Sequence, residues 1–207
     1  MKQVIYLSGS NGMVGKNILD HIESKNYKIG IWEMNESLSE LISLAPDIQV
    51  PNYNNKRKKE FITTRLILNK IHKSHKIKYN KFGAPELSEK KYISISHSNK
   101  LCTVIVSSLK VGIDIEKICD RILNISSKFI DQKERKTIDS SKATLFWCIK
   151  EAIYKWYQKG GVNFVKDIQI LKFKLSKKGI VSAIFKKTEL ILNYEKIDDH
   201  YLVYICK

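Results

Sequence analysis

Two periods run through the hydrophobic and polar positions of this chain, and the switches between them mark its elements. A short buried apolar run at 4–7 and short runs at 27–32, 92–96, 101–106 and 111–116 predict strands. Helical spacing appears at 18–22, 37–44, within 56–81, and at 120–129 and 131–138. The sharpest helical signal covers 145–156: Leu145, Ile149, Ala152, Ile153 and Trp156 form one apolar stripe, while Lys150, Glu151, Tyr154, Lys155 and Gln158 fall off it. After Gly160-Gly161 the period returns to two. Runs at 168–170, 179–185, 190–194 and 201–205, with turn signals such as Lys177-Lys178-Gly179 between them, predict an antiparallel meander. The pattern as a whole predicts an α+β chain, and 207 residues could make one domain or two small ones.

Two stretches carry candidate chemistry. Glu151 and Lys155 are four apart and share one side of the predicted helix. By itself such a pair is a solvated contact worth roughly 0.2–0.5 kcal/mol. Upstream, Val111, Ile113 and Ile115 share one face of a strand and Asp114 and Glu116 the other. At about 3.3 Å per residue the two carboxylates stand roughly 7 Å apart, and like charges so placed repel unless a cation relieves them. A Mg²⁺ ion suits that role, since it takes one or two carboxylates together with phosphate oxygens and water.

The 207 residues include 37 lysines and arginines against 21 acids, a net charge of +16. Such a surface draws polyanions: nucleic acid, anionic lipid or an acidic protein. The charge concentrates between Lys56 and Lys81, where ten basic residues meet a single acid, Glu60. Phe61, Arg65, Leu68 and Ile71 give this run helical spacing, so it reads as an amphipathic helix whose basic side is a solvated face, a phosphate cradle or a docking patch. Its aromatics do not interleave in an RNA-binding pattern, and the chain shows no helix-turn-helix or zinc finger, which argues against nucleic acid. Cys102, Cys119, Cys148 and Cys206 lack metal-ligand spacing and read as free, mostly buried thiols of a cytoplasmic protein. No apolar run is long enough to span a membrane, and a monomer without a membrane partner is expected.

The first thirty residues carry a different signal. A strand at 4–7, the glycine turn Ser8-Gly9-Ser10-Asn11-Gly12-Met13-Val14-Gly15 and a helical pattern through Ile18, Leu19 and Ile22 resemble the opening of an extended short-chain dehydrogenase or nucleotide-sugar epimerase. Glu33 stands near the place of a ribose-binding acid. No further βαβ units follow, and no tyrosine has a lysine four residues later, so an NAD(P)-binding reading stays a rival, beside that of a basic module without catalysis.

Four motifs in order carry a stronger resemblance. V-G-I-D-I-E at 111–116 followed by W-x-x-K-E-A-x-x-K at 147–155 resembles the 4′-phosphopantetheinyl transferases, most closely their two-lobed surfactin-type branch. Ile93-Ser94-Ile95-Ser96-His97-Ser98 resembles that family's serine-histidine motif. Phe82-Gly83-Ala84-Pro85-Glu86-Leu87 resembles its Gly-Lys-Pro segment, with Ala84 where lysine is common. The resemblance covers residues 31–207. It implies two pseudo-equivalent lobes of similar size, 1–108 and 109–207, each an antiparallel sheet packed with helices. It implies transfer of the 4′-phosphopantetheine arm of coenzyme A to a serine of an acidic acyl or peptidyl carrier protein, with Mg²⁺ (or Mn²⁺ in its place) and release of 3′,5′-ADP. In this sequence it implies Asp114, Glu116 and Glu151 as metal ligands and Glu151 and Lys155 as catalytic groups. Coenzyme A would meet Lys56, Arg65, Gly83, Pro85, Ser96, His97, Asp114, Lys150 and Lys155.

Overall fold

A computed structural model describes the backbone of residues 3–8, 18–24, 26–74 and 76–207, and the side chains from Ser24 onward within these ranges. The chain is α+β and divides into two compact units, residues 1–110 and 111–207.

The first unit is built on an antiparallel sheet. Its strands are β1 (Gln3–Ser8), β2 (Ile18–Glu23), β3 (Tyr27–Glu33), β4 (Lys78–Tyr79), β5 (Pro85–Glu86), β6 (Tyr92–Ser98) and β7 (Leu101–Ser107), in the order β1-β2-β3-β7-β6-β5-β4. Two helices accompany it, α1 (Leu38–Leu44) and α2 (Asn55–His72). A capping box fixes the start of α1: Glu40 N donates to Ser37 Oγ at 3.3 Å, and Ser37 N to Glu40 Oε2 at 2.7 Å. Asn54 caps α2 through Arg57 N at 2.9 Å. Ile67, Leu68 and Ile71 of α2 pack with Ile93, Cys102 and Val104 of the sheet.

Residues 18–22 form a strand paired antiparallel to β1, not the helix that their spacing predicts. Ile18 and Ile22 fit either period, Leu19 only the helical one, and the pairing of β2 with β1 and β3 decides the matter. Strand, glycine turn, helix was the context that gave a dinucleotide motif its meaning, and the described residues 18–22 do not supply its helix. The turn residues 9–15 themselves lie outside the described residues.

The second unit holds β8 (Val111–Lys117), α3 (Arg121–Asn124), α4 (Ser140–Tyr157), β9 (Ile168–Ile170), β10 (Lys178–Phe185), β11 (Thr188–Ile197) and β12 (His200–Cys206). Its sheet runs β8-β12-β11-β10-β9, antiparallel throughout, so the expected meander is present and β8 closes it at one edge. Leu145, Ile149, Ala152 and Ile153 of α4 are fully buried with Leu192, Val203 and Ile205 of the sheet.

The long helices expected at 120–129 and 131–138 shrink to α3 and two 3-10 turns, Ser126–Lys128 and Glu134–Lys136. Side chains here take the backbone partners a helix would need. Ser126 Oγ donates to Leu123 O at 2.7 Å, and Asp131 Oδ1 accepts from the nitrogens of Lys133 (2.7 Å) and Glu134 (3.1 Å). Among the described residues no helix is long and apolar enough to cross a membrane. Cys102 and Cys148 are buried, Cys206 is half-buried and Cys119 is exposed, all as free thiols.

Candidate functional site

In the second unit the site begins with a glycine. A side-chain carbon at Gly112 would run into the carbonyl oxygen of Ala152 and stand 2.7 Å from Trp156 N. Only glycine lets α4 come this close to β8. Asp114, two residues further along the same face, is thereby carried against the helix. Its carboxylate is 2 % exposed, and Lys155 Nζ donates to its Oδ1 at 2.7 Å. The Asp114–Lys155 pair joins two motifs 41 residues apart.

Glu151 stands one turn before Lys155, in the same field. Burial first, and then the negative charge of Asp114, pushes its carboxyl up to about 7; Lys155 opposes the rise and Glu116 adds to it. Burial also works against the ammonium of Lys155. Asp114, the hydrogen bond to it and Glu151 outweigh that cost and hold Lys155 above its ordinary range. The thiol of Cys148 is driven well up by burial, then by Asp114 and Glu116. Three groups thus report one negative potential around Asp114.

That potential fits a divalent cation. Asp114, Glu116 and Glu151 offer hard oxygen donors, and a bound Mg²⁺ would remove the mutual repulsion that raises Glu151. Among the described residues no three His, Cys, Asp or Glu side chains converge on one metal position. A cation here would therefore rest on one or two carboxylates and draw its other ligands from a phosphate-bearing substrate and water, as Mg²⁺ commonly does.

Lys150 falls off the apolar stripe, yet its side chain is buried. Its ammonium donates to Phe164 O at 2.6 Å and Ile168 O at 2.9 Å, and burial lowers it to about 8. Lys150 is committed to strapping the 162–168 segment onto α4. Phe164 also packs on Trp147 and Tyr154, with ring centroids 5.6 and 5.9 Å away. These are the residues one turn to either side of Glu151.

In the first unit His97 lies within β6 rather than at the turn. The register Ser98↔Leu101 leaves only Asn99-Lys100 as the connection, and Asn99 takes the left-handed conformation (φ 54°). Neighbouring strand residues face opposite sides, so His97 points with Ile93 and Ile95 and Ser96 points away from them. Ser96 and His97 are therefore not side by side. On its own face His97 meets α2. Its Nδ1 is 3.4 Å from Glu60 Oε1, and its Nε2 accepts from Arg57 Nη1 at 2.9 Å.

Lys56 is exposed in the first turn of α2. The guanidinium carbon of Arg65 lies 3.3 Å from the centroid of the Phe61 ring, and its Nη1 donates to Phe61 O at 3.1 Å. Burial lowers its pKa, while a hydrogen bond to Tyr79 works the other way. Sequence reasoning passed over Arg57 and Glu60. The signal was there: the lone acid of the basic run is three residues from Arg57, one helical turn. Gly83 sits in the β4–β5 connection and Pro85 opens β5. Gly83 has φ 79°, and Asn80 Oδ1 accepts from the nitrogens of Phe82 (2.9 Å) and Ala84 (3.1 Å).

Comparison with known proteins agrees with the acidic strand and α4. Residues 110–206 match the family model of the 4′-phosphopantetheinyl transferase superfamily, which bears out the sequence resemblance over the second unit. The chain is also similar to the 4′-phosphopantetheinyl transferase gsp of Aneurinibacillus migulanus, 30 % identical over 125 residues, which are 56 % of this chain and 51 % of that protein. The chain spans about half the length of the curated relative that it matches.

Proposed function

We propose that this protein moves the 4′-phosphopantetheine arm of coenzyme A to a serine hydroxyl of an apo acyl or peptidyl carrier protein and releases 3′,5′-ADP. The observation that carries the reading is the buried Asp114–Lys155 pair beside Glu151, at the place where the superfamily model matches. Phosphoryl transfer needs mainly positioning and charge neutralisation, and this cluster supplies both signs at close range.

Serine Oγ attacks the phosphorus that bears the pantetheine arm. The bond from that phosphorus to the bridging oxygen breaks, and 3′,5′-ADP departs with the oxygen and its electron pair. Glu151 accepts the serine proton, directly or through a water, and burial has already moved its pKa toward the range useful for a base. Lys155 donates to phosphate oxygens as charge builds on the leaving group. Asp114 and Glu151, with Glu116 beside them, would hold Mg²⁺, which when bound would supply charge neutralisation for the pyrophosphate. In the first unit, His97 and the basic start of α2 serve the 3′-phosphate, and the Gly83–Pro85 turn serves the adenine edge by backbone contact. An acidic carrier gives the +16 surface its partner. The setting proposed is cytoplasmic.

The test is incubation with coenzyme A, Mg²⁺ and a panel of apo-carrier proteins, followed by intact-mass measurement. The expected result is a carrier heavier by one phosphopantetheine, dependent on Mg²⁺ and blocked by replacing its serine with alanine. No mass change on any carrier, with tight binding of NAD(P), would favour the dehydrogenase rival. Binding of neither cofactor would leave a non-catalytic basic module.

A further inference from the structure

We infer that the end of the first unit where α2 finishes is a docking surface for an anionic lipid bilayer, built from Lys70, Lys73, Lys76, Lys78, Lys90 and Lys91. The inference does not rest on the transferase reading. Among the described residues no helix can cross a bilayer, but that has no bearing on lying against its surface.

Three segments bring their lysines to one place. Ile71, in the last turn of α2, is buried with Ile93 and Val106, so α2 ends over the Tyr92 end of β6. His72 Nε2 lies 3.3 Å from Glu89 Oε2, which ties the connection between β5 and β6 to that turn and sets Lys90 and Lys91 beside it. In the sheet Lys78 pairs with Glu86 and Glu86 with Tyr92, so β4 delivers Lys78, with Lys76 just before it, to the same end. All six lysines are exposed, and among the described residues none of the six forms an ion pair. Residues 70–92 hold seven lysines against two acids, Glu86 and Glu89. From Arg57 to His72 is fifteen residues of helix, roughly 22 Å at about 1.5 Å each, so this cluster is separate from the groups around His97.

The chemistry of the cluster favours a bilayer over other polyanions. It contains no arginine, and none occurs between Arg65 and Arg121. Nucleic acids and acidic proteins are commonly gripped by arginine's planar fork, and protein interfaces are poor in lysine. A lipid leaflet asks for summed charge rather than fixed geometry, and compact ammonium groups on long flexible stems supply that. Each basic residue close to an anionic leaflet tightens binding by about fivefold. Tyr92, 41 % exposed and in the same row as Lys78, has an apolar ring and a polar tip that suit the headgroup level.

The test is flotation of the full chain with vesicles of phosphatidylcholine alone and with vesicles of phosphatidylcholine and phosphatidylglycerol in equal parts, at low and at physiological salt. The expected result is binding to the anionic vesicles only, weakened by salt. Lys73→Gln, Lys76→Gln, Lys90→Gln and Lys91→Gln combined should weaken that binding by about tenfold or more. Lys166→Gln, Lys172→Gln, Lys174→Gln and Lys177→Gln combined remove the same charge from the second unit and should cost less than about threefold. Glu86→Gln, which takes an acid out of the cluster, should tighten binding, a gain that no folding defect produces. Thermal melting confirms that each variant folds. Equal losses in the two four-lysine variants would reduce the effect to net charge and overturn the inference. So would a wild type that ignores the anionic vesicles. Tighter binding of a single-stranded RNA or an acidic carrier protein, lost in the first four-lysine variant, would assign the cluster to that partner and overturn it as well.

Discussion

Replacing Glu151 by glutamine should stabilise the metal-free protein in alkaline solution. The carboxyl rises from an ordinary 4.5 to about 7 in the folded state, chiefly through burial and then through Asp114. A carboxyl raised from 4.5 to about 7 is destabilised in its charged form by about 3 kcal/mol at most, and partial exposure brings this to about 2–3 kcal/mol. The sign follows from linkage. The folded pKa lies above the unfolded one, so the unfolded chain gives up its proton first. The contribution of Glu151 is whole below about pH 4.5 and is lost as pH rises through about 7. Glutamine has no such loss. Urea unfolding of wild type and Glu151→Gln at pH 5 and pH 8, both in chelator, isolates the effect because all other titrating groups are shared. The stability difference should move by about 2–3 kcal/mol toward the variant between the two pH values. Added Mg²⁺ at pH 8 should return stability to the wild type and give less to the variant. A difference that stays constant within about 0.5 kcal/mol from pH 5 to pH 8 would mean that Glu151 is not buried among like charges, and the metal reading would lose its physical basis.

Other outcomes can be stated briefly. In the transfer reaction Glu151→Gln should lower kcat by roughly 10²–10⁴ without rescue by extra Mg²⁺, whereas excess Mg²⁺ should restore part of the rate of Asp114→Ala. Gly112→Ala should cost about 1–3 kcal/mol or more, since the new carbon meets helix backbone that has little room to yield; an unchanged melting temperature would disprove the close approach. Lys150→Met should lower stability by about 1–3 kcal/mol, because two buried carbonyl oxygens lose their donor, and should leave the affinity for coenzyme A nearly unchanged. Raising salt to physiological levels should raise KM for the carrier more than KM for coenzyme A, because exposed charges are screened beyond about 8–10 Å.

The second unit was legible because its signals are long or repeated. An 18-residue helix with a clear stripe and four strands parted by turn residues leave few alternatives. The acidic strand and the helix pair could be joined only through a family resemblance, since nothing in residue spacing says that Asp114 and Lys155 touch. Residues 18–22 misled because Ile18, Leu19 and Ile22 follow helical spacing over a run of five, too short for periodicity to outweigh strand pairing. Lys150 misled for another reason. Stripe analysis assigns a lysine to solvent by default and has no means of seeing two carbonyl oxygens that a later loop brings over it. The same blindness hid Arg57. Its partner His97 is 40 residues away, and only strand register decides that His97 and not Ser96 faces α2.

Helix α4 shows how closely scaffold and chemistry are interleaved. Each residue turns about 100° from the last, so consecutive positions must serve different masters. Cys148 and Ile149 go to the core, Lys150 to the strap at 162–168, Glu151 to the acidic face. A rotation of the helix by one residue would exchange these roles, and three restraints oppose it. The apolar stripe resists burying a charge. The two Lys150 bonds fix one side, and contact with Gly112 fixes the other. Asp114 is the exposed weakness of this arrangement, a carboxylate almost wholly removed from water. Breaking a buried pair from one side leaves an uncompensated charge, which typically costs 3–5 kcal/mol. Lys155→Met should therefore destabilise the metal-free protein more than Asp114→Asn and Lys155→Met together. If the double variant proves no more stable than Lys155→Met, the stranded charge of Asp114 is not what the lysine offsets. Lys155 would then be held by Glu151, and the order of the two carboxylates in the site would be reversed.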